Sequence, residues 1–152
     1  MLNILFWNLK RNAIEGYIID CIVENNVDIA VFSEFDGVDF IKIEKSLGKM
    51  YGCILAVQDD RKVTLIAKTT FSVAIIQQQN RYNIYNVKTA VKDYLLAAIH
   101  LEDRRNYDVF CKHFLEKNAK YFWRMLHLQI GESCKASAGS YSASYIAIAD
   151  HI

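Results

Sequence analysis

Residues 4–12, ILFWNLKRN, and residues 28–37, DIAVFSEFDG, decide the fold of this chain. Leu2 to Trp7 is a run of mainly large apolar side chains, which predicts a buried strand. The run stops at Asn8. Asn12 then starts a helix signal: it is a good N-cap, and Glu15 three positions later completes a capping box. Ile14, Tyr17, Ile18, Cys21 and Ile22 recur at helical spacing and predict one apolar face, which Asn25-Asn26 ends. Asp28 to Ser33 is a second apolar run of strand length, and it stops at Glu34. Strand, helix and strand in this order make a βαβ unit, so the two strands are expected to be parallel neighbours. Their C-terminal ends then share one edge of the sheet. That edge carries Asn8 and Glu34 and is where open α/β layers bind ligands.

Outward from this unit the pattern changes. Phe40 to Leu47 predicts a short helix, capped by Asp39 and stopped by Gly48. Five β-rich runs follow: YGCILAVQ, KVTLIAKT, SVAIIQQ, YNIYNV and YLLAAIHL. Their links are short, and short links cannot make parallel crossovers, so these strands are expected to be antiparallel. The spacing of Tyr107, Phe110, Phe114, Tyr121, Phe122 and Met125 predicts a long helix from about Asn106 to Leu128. Residues 133–152 are rich in Ser and Ala, and only YIAIA there reads as a strand. Together these elements predict an α/β protein, with mixed β-sheets and flanking helices, in a single domain spanning 1–152 with an atypical tail at 133–152.

Composition narrows the function. The chain has 152 residues, of which 53% are hydrophobic and 23% charged, as expected for a folded domain. A net charge of +1 gives no global argument for nucleic acid, so any phosphate-binding surface must be a local patch. There is no run of about eighteen uncharged apolar residues to span a membrane, and the N-terminus lacks the pattern of a signal peptide. Cys21, Cys53, Cys111 and Cys134 are widely spaced without a C-x-x-C pair. That spacing argues against zinc and for reduced thiols in a cytoplasmic protein.

The W-N ending of the first strand and the S-E ending of the second resemble the start of the endonuclease/exonuclease/phosphatase superfamily. LLAAIHLED, residues 95–103, resembles that family's later strand, which ends in an H-L pair. The resemblance covers roughly residues 2–130. It implies a four-layer α/β sandwich, here incomplete, and a phosphodiester-cleaving, nuclease-related activity dependent on Mg²⁺ or Mn²⁺. It implies Glu34 as metal ligand, Asn8 as a phosphate contact or part of the metal shell, and His100 as donor to the phosphate or leaving group. Lys10-Arg11 and Arg104-Arg105 follow these positions. Lys10 and Arg105 are the candidate phosphate grips, since Arg can hold phosphate with two bonds.

The family also carries G-D-x-N and S-D-H motifs whose aspartates activate water. This sequence has no Gly-Asp dipeptide and no D-x-N, and ADH at residues 149–151 is a chance match to the second motif. The expectation is therefore a shortened phosphoesterase-like domain with weak or no hydrolysis. A non-catalytic α/β binding or remnant domain is the alternative. A third reading makes Asn8 a turn residue, Glu34 a solvated loop carboxylate and His100 a structural strand-end histidine. Expected partners are a phosphoester, including nucleic acid, and no membrane; the sequence leaves the oligomeric state open.

Overall fold

In the computed structural model, β1 (Ile4–Asn8) and β2 (Ile29–Ser33) are adjacent and parallel, with Phe6 opposite Val31 and Asn8 opposite Ser33. The structure describes residues 2–9, 12–54, 63–79, 82–101, 112–114, 116–118, 123–126 and 143–150. Between the two strands runs α1 (Glu15–Glu24). Its start differs from the expected capping box. Ile14 holds the N-cap position without a side-chain bond. Asn12 instead turns back on the strand, its main-chain N–H and side-chain amide both donating to the Leu9 carbonyl. Glu15 is recruited elsewhere, accepting the main-chain N–H of Asp39 at 2.9 Å. Asp39 caps α2 (Phe40–Leu47) by accepting from the Lys42 N–H, and Gly48 ends that helix at φ +67.

β2 is buried at every position because it lies between β1 and β4 (Val63–Lys68) and is covered on both faces. β3 (Tyr51–Ile54) completes this first sheet in the order β1-β2-β4-β3. Alternation along its strands makes two cores. Leu9, Ala30, Phe32 and Ile66 face the helices and pack on Ile18, Ile22, Phe40, Ile43 and Leu47. Phe6, Ile29, Val31, Val63, Leu65 and Ala67 face the other way, onto Tyr85, Val87, Leu96 and Ala98 of a second sheet. Each large side chain buried in this way stabilises the fold by about 1.5–3 kcal/mol relative to exposure.

The second sheet has the order β5-β6-β7-β9-β8, from β5 (Ser72–Gln79), β6 (Tyr82–Lys88), β7 (Asp93–Leu101), β8 (Trp123–Leu126) and β9 (Ala143–Asp150). The expected antiparallel pairing holds for β3 with β4 and along β5, β6 and β7. It fails between β4 and β5. The turn after Lys68 carries the chain from one sheet to the other, so these consecutive strands do not pair. A second correction concerns the long helix expected to reach Leu128. Helical backbone appears at residues 112–114 and 116–117, but Trp123–Leu126 is a strand. Pairing with β9 overrides the helical spacing of its large residues. The YIAIA segment forms an interior strand, β9, between β7 and β8. On the outer face of the second sheet, Phe114 is fully buried and meets the Tyr82 ring edge-on at 5.1 Å. Helices on sheet on sheet, with helical residues beginning an outer cover, make the chain an α/β sandwich. Among the described residues, no helix is long and apolar enough to cross a membrane.

Candidate functional site at one end of the sheet-sheet seam

Asn8 is the last residue of β1. It follows the alternation of Ile4 and Phe6, so its side chain faces the seam between the sheets. Glu34 comes one residue after β2. Simple alternation would send it to the helix side with Ala30 and Phe32. It does not go there. Glu34 has φ +48, a left-handed conformation that costs a residue with a Cβ about 1–3 kcal/mol. Its neighbours hold it in place. Phe35 is buried in the helix-side core against the edge of Phe40, and the next turn closes with Val38 N–H on the Phe35 carbonyl. Gly37, at φ +85, supplies the positive φ that this turn needs. The left-handed step turns the Glu34 carboxylate back into the seam. There its Oε1 accepts a hydrogen bond from Asn8 Nδ2 at 3.2 Å.

His100 arrives from the other sheet. It is near the end of β7 and shares the inner face with Leu96 and Ala98. The His100 side chain is 4% exposed and Glu34 is 22% exposed, so the imidazole is sealed while the carboxylate reaches solvent. His100 Nε2 lies 3.6 Å from Glu34 Oε1, an ion pair when the ring is protonated. Asn8, Glu34 and His100 thus converge on one spot, although they come from three strand ends and two sheets. Lys10 and Arg105, the candidate phosphate grips, lie outside the described residues, as do Arg11 and Arg104. His113 is exposed.

Among the described residues, the Glu34 carboxylate and the Asn8 amide offer oxygen donors at this edge. Among the described residues, no three His, Cys, Asp or Glu side chains gather into a metal-binding group. One carboxylate and one amide oxygen fit a hard cation such as Mg²⁺, which keeps several waters and takes few protein ligands. Asp150 is far from this donor set. It pairs with Tyr94 at the opposite end of β7 from His100, about 20 Å away at the rise of a strand.

Two buried polar residues at this end, Thr64 and Asn83, were missed from the sequence, and Ser33 of the S-E pair is buried beside them. Asn83 gave the one usable signal, since Asn is depleted in strand interiors and here interrupts the β-rich run YNIYNV. The chain matches no protein-family model, no curated protein and no solved structure.

Proposed function

We propose that the Asn8–Glu34–His100 edge binds a phosphoester together with a divalent metal, in the manner of the endonuclease/exonuclease/phosphatase family, with slow or no hydrolysis. The observation that carries this reading is the double contact on Glu34 Oε1, from Asn8 at 3.2 Å and His100 at 3.6 Å. Glu34 and Asn8 would hold Mg²⁺ or Mn²⁺, which when bound neutralises phosphate charge and stabilises a leaving oxygen. The sealed imidazole of His100 donates a hydrogen bond to an anionic oxygen seated beside Glu34. Asn8 can present either its N–H₂ or its carbonyl, since the amide carries both donor and acceptor.

The reading of weak turnover rests on the sequence and on the described residues. The sequence holds no D-x-N, and Asp150 lies at the wrong end of β7 to take a proton at this edge. General-base help is typically worth about a hundred- to ten-thousand-fold. The test is hydrolysis of a plasmid and of a chromogenic bis-phosphodiester with Mg²⁺ or Mn²⁺, beside thermal stabilisation by each ion. The expected result is little or no turnover, with a small Mg²⁺ stabilisation that Glu34→Gln removes. Stabilisation that persists in Glu34→Gln would overturn the site. Fast turnover abolished by Glu34→Gln would keep the site but overturn the weak-catalysis reading.

A further inference from the structure

The seam between the sheets is mainly apolar, and a buried amide interrupts it next to the site. Asn83 is 4% exposed. It lies on β6 opposite Ala98 of β7, and Ala98 is on the same face as His100. Its Nδ2 donates across the seam to the main-chain carbonyl of Val63 at 3.3 Å, and along its own strand to Tyr85 Oη at 3.2 Å. Val63 is the β4 partner of Ser33, and Ser33 precedes Glu34. A short path therefore joins the two halves of the site: Glu34 and Ser33, across to Val63, over the seam to Asn83, across to Ala98, and on to His100.

An amide among apolar neighbours is unfavourable unless its hydrogens are bonded. Both N–H groups of Asn83 are used. What the Val63 bond adds over a buried leucine is direction. Apolar attraction is non-directional and tolerates a small slide of one sheet over the other. A directional hydrogen bond to a main-chain carbonyl of β4, in the other sheet, does not. The slide matters only where a contact spans the seam, and Glu34–His100 is such a contact.

We infer that Asn83 is a positioning residue: its bond to Val63 sets how the two sheets meet at the cleft, and so sets the approach of His100 to Glu34. This rests on reading Glu34 and His100 as two halves of one site. The experiment reads their contact directly, without metal or substrate. In ¹⁵N-histidine NMR the His100 ring signals are identified by their loss in His100→Gln. Glu34→Gln is expected to shift them in the parent chain and to leave them unmoved in an Asn83→Leu background. An undiminished shift in folded Asn83→Leu overturns the inference, and so does the absence of any shift in the parent. If Asn83→Leu does not fold, Asn83→Ser takes its place; its side chain is too short to reach the Val63 carbonyl, and the same two results decide. A parent chain that fails to bind Mg²⁺ but loses the shift on Asn83→Leu sinks the proposed function alone. Mg²⁺ binding beside a shift that survives Asn83→Leu sinks the inference alone.

Discussion

Glu34 holds two properties in tension. Its left-handed backbone is unfavourable for any residue with a Cβ, and it is also what brings the carboxylate round to Asn8 and His100. Glycine would relieve the backbone and lose the carboxylate; alanine would lose the carboxylate and keep the strain. Glu34→Gly is therefore expected to be about 1 kcal/mol more stable than Glu34→Ala in urea unfolding, with both unable to respond to Mg²⁺. A glycine variant less stable than the alanine one would show that position 34 is not strained. The sequence makes Glu34 visible as the polar stop of an apolar run. It does not reveal the positive φ, because glutamate carries no preference for it. The burial of Phe35 and the turn at Gly37 impose the conformation from outside.

Strand and helix ends are tied together at the opposite end of β1 and β2. Asp28 accepts the Asn3 main-chain N–H at 2.8 Å and pairs with Lys68 at 2.7 Å, and Lys68 also donates to Asn26 Oδ1 at 2.8 Å. One carboxylate thereby joins the start of β1, the α1–β2 turn and the end of β4. Burial by itself would raise its pKa. The Lys68 hydrogen bond, the Asn3 N–H and the Lys68 charge outweigh burial and hold it below the ordinary carboxylate value. A depressed folded pKa contributes stability above the unfolded value, and that contribution fades as pH falls through the folded one. Melting temperatures of Asp28→Asn and the parent should therefore differ most near neutrality and converge in acid. A gap that stays constant with pH would assign the loss to packing and not to charge. Element ends were also where sequence reasoning was least secure. Asp39 and Gly48 bracket α2 as expected, because cap chemistry is local. The Asn12–Glu15 box did not form, because Leu9 and Asp39 offered those side chains other partners. The strand at Trp123–Leu126 was illegible for a similar reason: its helical spacing is local, and its pairing to β9 is not.

Across the whole molecule, the parallel β1–β2 pair and the edge it shares were legible, since a short crossover leaves little choice of topology. The division into two sheets was not. Nothing in the residues after Lys68 states that β5 leaves β4, and that step is what lets His100 face Glu34 across a seam. The site therefore depends on one core more than on the other. Leu65 is fully buried between the sheets, and Ile43 is fully buried between α2 and the first sheet. Truncating either to alanine should cost about 2–5 kcal/mol, a large share of the roughly 5–15 kcal/mol a domain has. Their effects on the site should differ. Leu65→Ala loosens the contact between sheets, so the His100 ring shift produced by Glu34→Gln should shrink. Ile43→Ala leaves that contact alone, so the shift should stay at its parental size even at equal loss of stability. Urea unfolding matches the two variants in stability, and ¹⁵N-histidine spectra under native conditions compare the shifts. Equal shrinkage in both would mean that the cleft follows global stability. Loss in Leu65→Ala alone would mean that the seam between the sheets governs the site.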